Sequence, residues 1–326
     1  MFRLHSPTLS ALFGALLLPG SLAAQAAVDP SVAPRAAAME RVGGRVEATE
    51  MLGRYLATAP DDGAAWLELG RFYLLDSRAW HQDGHDGDPT GSLFLDLAAT
   101  ALDESLRLPT DSGRLLRALV EVDRSSLAVE QDGWVAASQA AGSSGRGVEA
   151  PAYVVEAGRN LVNSCPTGGV IVAGSDLEAV GVWSIILRGH DRADLVLFLP
   201  VLYGTDSLYR LRMAEALQID AVLPVAEALT RTASRRPVCL TADADSSMLP
   251  RLPLSPVRLV RVAGPAGALD PRPLSIIELT AAWRTRPVGV VREVTGLYVQ
   301  AARFNPLLCA SLLSPLGVRD RSVCGR

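Results

Sequence analysis

In its second half the chain alternates short apolar runs with longer segments whose apolar residues recur at helical spacing. Few folds accommodate that order, because parallel strands need a crossover connection between them. Strands are predicted at four places: residues 170–173, 195–199, 238–241 and 257–262. The sequence therefore predicts an α/β domain over residues 151–275, with a mostly parallel sheet of about four strands and crossover helices.

The first half of the chain is helical in pattern, and its centre carries a recognisable spacing. Trp66, Leu69, Gly70 and Tyr73 reproduce W-x-x-L-G-x-x-Y, which resembles the first helix of a tetratricopeptide repeat. The resemblance implies that these residues pack two antiparallel helices together, since Gly permits close approach and the large side chains fill the groove. Residues 28–141 are therefore expected to form an all-α, repeat-like module with fewer than three complete repeats.

Two further segments complete the predicted organisation. Residues 142–147 read Gly-Ser-Ser-Gly-Arg-Gly, which is typical of a flexible joint, so a linker is predicted at 142–150. A helical region at 276–326 follows a Pro/Gly-rich loop. Its apolar stripe is expected to dock on the protein's own surface rather than on a membrane.

Residues 1–27 have the pattern of a secretory signal peptide. A basic start precedes an apolar core at 9–18 and a small-x-small site at 24–26, so cleavage is expected near Ala26 or Ala27. The apolar core is shorter than the ~20 residues that span a bilayer. We therefore expect a periplasmic or secreted protein that does not span the membrane after cleavage.

Four cysteines follow the signal segment: Cys165, Cys239, Cys309 and Cys324. In an oxidising compartment they could form two disulfides, with three possible connectivities. The pair Cys309–Cys324 is preferred because it would close a short loop near the C-terminus. Four unpaired thiols are the alternative, and the spacings match no zinc site.

The composition argues against several classes of protein. The formal net charge is −4 and no basic run is interleaved with aromatics, so nucleic acid is not an expected partner. All 31 basic residues are Arg, which excludes lysine-dependent phosphate loops and Schiff-base chemistry. No G-x-S-x-G elbow is present, and His190 is the only histidine of the α/β domain, so a Ser-His-Asp hydrolase is not indicated. No catalytic residue and no cofactor is predicted.

The segment 169–209 resembles the soluble C-terminal region of bacterial O-mannosyltransferase-like membrane proteins. That region has a strand ending in a Gly-Asp turn, then a Trp, then an Arg-x-Asp-Val step into a second strand. Here residues 170–176 read Val-Ile-Val-Ala-Gly-Ser-Asp, Trp183 stands at the Trp position, and residues 192–195 read Arg-Ala-Asp-Leu. Residues 206–209, Asp-Ser-Leu-Tyr, resemble a later Trp-Tyr turn of that region, with Leu208 in place of Trp. The resemblance covers only the soluble region, so it does not by itself imply transferase activity.

Polar residues follow the first two predicted strands. Ser175 and Asp176 come after the first strand, and Tyr203 and Asp206 after the second. Ligands of parallel sheets bind beyond the carboxyl ends of the strands, so both loops would border one cleft if the strands are neighbours. An aspartate there could hold a sugar hydroxyl or act as a base, with Tyr203 or Trp183 as a stacking wall. Simple capping of helix N-termini is the alternative interpretation.

Two groups of potential metal ligands are present. Asp243 and Asp245 follow the third strand and could bind Mg²⁺ or Ca²⁺ together with Asp176. A denser group of mixed nitrogen and oxygen ligands lies in a Gly-rich insertion: His81, Asp83, His85, Asp86 and Asp88. The aspartates lie in a polar loop, and the second group lacks both the H-E-x-x-H spacing and the Asp ladder of an EF-hand. Both groups are therefore interpreted as solvated, and no metal site is predicted.

The predicted function is that of an exported, non-catalytic adaptor whose repeat-like module binds a protein or peptide in the cell envelope. The alternative is an extracytoplasmic carbohydrate-related enzyme or glycan-binding domain with its site at the strand ends. A cleft shared by both strand-end loops would favour the alternative. An exposed concave helical surface would favour the adaptor.

Overall fold

The computed structural model describes most of the chain: residues 28–83, 89–141, 149–189, 191–318 and 321–324. Several segments singled out in the sequence fall outside these ranges: residues 1–27 and 142–147, together with His85, Asp86, Asp88 and His190.

Five helices make up the described part of the first half: α1 (Val32–Arg41), α2 (Arg45–Leu56), α3 (Gly63–Gln82), α4 (Pro89–Ser105) and α5 (Asp111–Ala141). Asp62 caps α3, since its Oδ1 accepts hydrogen bonds from Ala64 N at 3.0 Å and Ala65 N at 3.1 Å. Helix α5 is broken at Gly133, where φ is +81°. It therefore consists of two helical pieces with different axes.

Helices α3 and α4 lie against each other because α3 carries a glycine at their contact. A Cβ on Gly70 would lie 2.6 Å from Leu102 Cγ of α4. Leu69 is buried, whereas Trp66 and Tyr73 are partly buried. The indole Nε1 of Trp66 donates a hydrogen bond to the Pro60 carbonyl oxygen at 2.7 Å. These side chains thus hold α3 to its neighbours.

The second half contains one five-stranded sheet in the order β2-β1-β3-β5-β4. The strands are β1 (Val170–Val172), β2 (Val196–Phe198), β3 (Val238–Leu240), β4 (Ser255–Val257) and β5 (Val260–Ala263). Strands β2, β1 and β3 run parallel, while β5 is antiparallel to β3 and to β4. Every residue of the three parallel strands is buried, as expected for strands covered on both faces.

Helices surround this sheet: α6 (Ala152–Ser164), α7 (Asp176–Ile186), α8 (Pro200–Thr205), α9 (Ser207–Leu217), α10 (Val225–Ala233), α11 (Ile277–Thr285), α12 (Val290–Phe304) and α13 (Arg321–Cys324). Helix α7 connects β1 to β2, and α8 to α10 connect β2 to β3. These are the crossovers that parallel pairing requires.

The α/β fold class is confirmed, but the sheet differs from the prediction in one respect. The segment predicted as a single strand at 257–262 is a tight hairpin between β4 and β5. Its turn uses Arg258, a non-glycine residue with φ +51°. The Arg258 guanidinium donates hydrogen bonds to the carbonyl oxygens of Asn163 and Arg272, both at 3.0 Å, which hold this conformation in place. The sheet is therefore mixed, with five strands, rather than mostly parallel with about four.

One hydrophobic core extends from helices α4 and α5 through the sheet to α12. It joins Leu102, Leu119, Ile171 and Leu297, each at most 3% exposed. A smaller core lies among α1, α2 and α3. Helix α5 therefore packs on the sheet region as well as on its helical neighbours, and the linker predicted at 142–150 stays a prediction.

Two disulfides tie the second half together. Cys309 pairs with Cys324, as preferred from the sequence, and Cys165 pairs with Cys239 in the middle of β3. Disulfides form and persist in oxidising compartments, so this pairing indicates an extracytoplasmic protein. Within the described ranges, no helix combines the length and the apolar character needed to cross a membrane.

Candidate functional site

A cavity of about 170 Å³ opens where helices α3 and α5 meet the ends of β1 and β2. The residues that directly follow the two strands, 173–176 after β1 and 199–202 after β2, contribute to its wall. They meet there because β1 and β2 are adjacent and parallel. Apolar side chains of α4, α5 and α8 form much of the remaining wall. The polar side chains at the cavity include Arg78, His81, Asp123, Ser126, Glu130 and Asp176.

Arg78 of α3 links the helical region to the strand ends. Its guanidinium bonds both oxygens of Asp123 on α5, at 2.8 and 3.0 Å, and Oδ2 of Asp176 at 2.8 Å. Burial by itself lowers the pKa of Arg78, but the charges and hydrogen bonds of Asp123 and Asp176 together outweigh burial and hold the pKa above its ordinary value. Burial raises the pKa of Asp123 despite the opposing effect of Arg78. The guanidinium is thus fully engaged by carboxylates of the protein.

Next to this ion pair lies a second polar cluster, formed by His81, Glu130 and Asp206. All three side chains are buried, and one potential ligand atom of each lies within 4.8 Å of the others. Asp206 caps α9, since its Oδ1 accepts a hydrogen bond from Tyr209 N at 2.7 Å. Within the described part of the chain, Asp206 Oδ2 and both imidazole nitrogens of His81 have no hydrogen-bond partner.

Gly91 of α4 makes room for the His81 ring. A Cβ on Gly91 would lie 2.5 Å from His81 Nε2. The Gly91 carbonyl oxygen accepts a hydrogen bond from Ser77 Oγ at 2.9 Å, which fixes this part of α4 against α3. The imidazole is therefore enclosed by the α3–α4 contact.

A different crevice, between β1 and β3, is filled by the protein itself. The strand order reverses there, which is where open α/β sheets usually bind ligands. Glu178 occupies the position: its Oε2 lies 2.6 Å from Thr241 Oγ1 and accepts a hydrogen bond from Gly174 N at 2.9 Å. Its Oε1 accepts one from Asp243 N at 3.1 Å. Burial raises the pKa of Glu178 to about 7.

Three of the predicted ligand-binding residues lie at the cavity or in the cluster beside it. Ser175 lines the cavity while its Oγ accepts a hydrogen bond from Glu178 N at 3.5 Å, capping α7. Asp176 lines the cavity with its side chain 57% exposed, and Asp206 belongs to the buried cluster. Capping and a cleft, which are alternatives in the sequence, therefore occur together at Ser175, whereas Asp206 caps α9 in the buried cluster beside the cavity.

Trp183 and Tyr203 lie in the core and do not line the cavity. The Trp183 indole Nε1 donates a hydrogen bond to Ser125 Oγ of α5 at 2.9 Å. The Tyr203 ring packs on Phe198, with 4.9 Å between ring centroids. Both aromatic rings stabilise the contact between elements, and neither faces the cavity as a stacking wall.

The acidic group after β3 does not assemble. Asp245 caps the short 3₁₀ turn Ser246–Met248, since its Oδ1 accepts a hydrogen bond from Ser247 N at 2.8 Å. Asp176 is paired with Arg78. Among the residues that the structure describes, these aspartates and Asp243 do not come within ligand distance of one another as a set.

Sequence reasoning missed Arg78, Asp123 and Glu130 as site residues. A signal was present in α5, because Asp123, Ser126 and Glu130 recur at helical spacing inside the face that carries Leu119. Polar residues within an apolar face indicate a buried polar site rather than a solvated surface.

Comparison of the chain with protein-family models, with curated proteins and with solved structures finds no match in any of the three.

Proposed function

We propose that the protein is an extracytoplasmic ligand-binding protein whose cavity holds a small polar molecule. The observation that carries the proposal is the convergence of both strand-end loops with α3 and α5 on one cavity that is rich in buried polar groups. Its volume of about 170 Å³ exceeds the roughly 150 Å³ of a cavity that holds benzene. The ligand would therefore be about the size of one six-membered ring. Export with cleavage near Ala26 or Ala27 is part of this proposal.

The charges at the site favour an uncharged or cationic ligand. Among the residues that the structure describes at the site, the carboxylates of Asp123, Glu130, Asp176 and Asp206 accompany one guanidinium, that of Arg78, which is already paired. An anion entering here would meet net negative charge in a partly dehydrated space. A neutral sugar ring is compatible, because carboxylates accept hydrogen bonds from hydroxyls and the apolar wall can cover a ring face. The resemblance of segment 169–209 to a glycan-related family supports the same choice.

An occluding substitution tests this proposal. Val201 lines the cavity and is 62% exposed, so Val201→Trp should narrow the entrance without disturbing the core. Val222 is 82% exposed and does not line the cavity, which makes Val222→Trp the matched control. We expect calorimetry with a panel of neutral monosaccharides to detect saturable binding that Val201→Trp weakens roughly tenfold or more and Val222→Trp retains. Absence of binding to the wild type, or equal binding by Val201→Trp, would overturn the proposal.

A second candidate is the adaptor role of the helical region. It is supported by Leu93 and Leu97, which lie one turn apart on α4 and are 56% and 37% exposed. Kinship with tetratricopeptide repeats belongs to this candidate, and the contact of Gly70 with Leu102 supports it.

A pull-down from envelope extract tests the adaptor role. The double variant Leu93→Asp/Leu97→Asp should lose a protein that the wild type retains. Leu211→Asp is the control, because Leu211 is a 44% exposed leucine on α9. If the wild type, the double variant and Leu211→Asp all capture the same proteins, the adaptor role is rejected.

A further inference from the structure

We propose that His81, Glu130 and Asp206 bind a divalent transition-metal ion, with Zn²⁺ the best fit. The three residues come from three elements that meet at one place: the last turn of α3, α5, and the N-cap of α9. One imidazole nitrogen and two carboxylate oxygens form a mixed donor set that suits Zn²⁺ better than Mg²⁺ or Ca²⁺, which prefer oxygen alone. The inference concerns a metal, so it does not depend on the proposed organic ligand.

The burial of these groups is the first argument. His81 is 8% exposed, Glu130 is 7% exposed and Asp206 is fully buried. Buried polar atoms in folded proteins nearly always have a partner, and an unpaired one costs about 1–3 kcal/mol. Yet, among the described residues, both His81 nitrogens and Asp206 Oδ2 have no hydrogen-bond partner. A cation placed among the three side chains would satisfy the imidazole and the carboxylate at once.

Local charge is the second argument. The nearby guanidinium of Arg78 is committed to Asp123 and Asp176, through bonds of 2.8 to 3.0 Å. Within the described ranges, Asp206 makes no ion pair with any basic side chain, although it is fully buried. A buried carboxylate without a counter-charge is costly, and a divalent cation removes that cost.

The geometry requires only small side-chain movements. The three ligand atoms lie within 4.8 Å of one another. In a tetrahedral zinc site with bonds of about 2.1 Å, they would be about 3.4 Å apart. Asp206 is oriented by the hydrogen bond that its Oδ1 accepts from Tyr209 N. That backbone bond is the kind of outer contact that fixes a metal ligand in place.

The site would keep one coordination position open. Three protein ligands leave a fourth position of tetrahedral Zn²⁺ for water or a bound molecule. His81 and Glu130 both line the cavity, so a molecule in the cavity can reach that position.

Zinc binding to the mature protein tests the inference directly. The full chain from residue 28 is stripped with a chelator, dialysed and titrated with Zn²⁺ alone by calorimetry, and elemental analysis gives the stoichiometry. We expect about one Zn²⁺ per chain and a metal-dependent rise in Tm. Co²⁺ in place of Zn²⁺ should give the visible spectrum of a low-coordinate nitrogen and oxygen site.

The variants separate loss of a ligand from loss of the fold. Asp206→Asn keeps an oxygen that can cap α9, so its Tm without metal should equal that of the wild type while its zinc affinity falls roughly tenfold or more. Glu130→Gln should behave in the same way. Asp83→Asn, a change of an exposed aspartate two residues after His81, should leave zinc affinity unchanged.

Two results would overturn the inference. One is wild-type protein that takes up no stoichiometric Zn²⁺. The other is Asp206→Asn and Glu130→Gln that bind Zn²⁺ as tightly as the wild type, which would place any bound ion away from this cluster. Because the probe is the metal alone, failure of sugar binding and failure of metal binding are distinguishable.

Discussion

The backbone of Gly158 in α6 lies directly against that of Gly181 in α7. A Cβ on Gly158 would lie 2.6 Å from Gly181 Cα and would overlap its carbonyl group. The two helices flank β1 in the sequence, so their close contact fixes how α7 leaves the end of that strand. It thereby sets the position of Ser175 and Asp176 at the cavity.

Replacing Gly158 with Ala should therefore be strongly destabilising. The added methyl group meets backbone, which cannot move aside as a flexible side chain could, so we expect a loss of about 3 kcal/mol or more. Gly296 in α12 is the matched control, because its Cβ would meet no atom within 4 Å. Gly296→Ala should gain about 0.5–1 kcal/mol from helix propensity. Chemical denaturation measures both, and equal stability of the two variants would contradict the close contact.

Stability should fall as pH rises toward neutrality because of Glu178. Burial raises its pKa from the ordinary 4.5 to about 7, so the folded state holds a proton that the unfolded chain releases. The favourable contribution is complete below about pH 4.5 and is lost as pH rises through about 7, with a limit on the order of 3 kcal/mol.

Glu178→Gln should remove most of this pH dependence. Urea denaturation at about pH 5 and about pH 8 would compare it with the wild type and with Glu227→Gln, a change of an exposed glutamate on α10. A wild-type slope that persists in Glu178→Gln would assign the titration to another group.

The two disulfides should differ in their contribution to stability. Cys165–Cys239 spans 74 residues and Cys309–Cys324 spans 15. Chain-entropy arguments give about 4 kcal/mol for the first and about 3 kcal/mol for the second. Thermal melts of the two double-alanine variants, with and without reductant, measure this. Removing Cys165–Cys239 should lower Tm more than removing Cys309–Cys324. The opposite result would show that the C-terminal disulfide contributes more to stability than the link from α6 to β3.

Replacing Arg78 should lower the free energy of unfolding more than replacing an exposed arginine does. Arg78→Met leaves Asp123, whose side chain is only 15% exposed, without its counter-charge. We expect a loss of about 2 kcal/mol, which is discounted for partial exposure. The double change Arg78→Met/Asp123→Leu should recover much of that loss, because no charge is then stranded.

Arg107→Met is the control for this pair. Arg107 is 64% exposed in its ion pair with Glu104, so the change should cost less than about 0.5 kcal/mol. If Arg78→Met/Asp123→Leu is no more stable than Arg78→Met, the stranded charge of Asp123 is not the source of the lost stability.

The α/β order and the three parallel strands could be predicted because their residues are buried on both faces and form continuous apolar runs. The β4–β5 hairpin could not be predicted in the same way. Its turn residue, Arg258, has a positive φ that is unusual for a long side chain. It is stabilised by hydrogen bonds to Asn163 and Arg272, which lie far away in sequence, so no local pattern marks the turn.

Only the part of the cavity wall at the strand ends could be predicted from the sequence. Ser175 and Asp176 follow from the general rule that ligands bind beyond the ends of parallel strands. Arg78 and Asp123 lie on helices that the sequence predicts to be a separate module, and nothing local indicates that those helices face the strand ends. Trp183 was predicted as a stacking wall for the same reason, because its contact with α5 could not be foreseen. Its indole lies in the core and donates a hydrogen bond to Ser125 Oγ of α5.

The shared core has a consequence for how the chain is made. Arg78 and Asp176 are separated by 98 positions in sequence, and α5 packs on α7 and α9, which follow much later. When the chain emerges amino end first, the apolar surface of α5 stays exposed to solvent until α7 and α9 have formed. The first half is a poor candidate for an early folding unit, and a holding chaperone should recognise it during synthesis or transport.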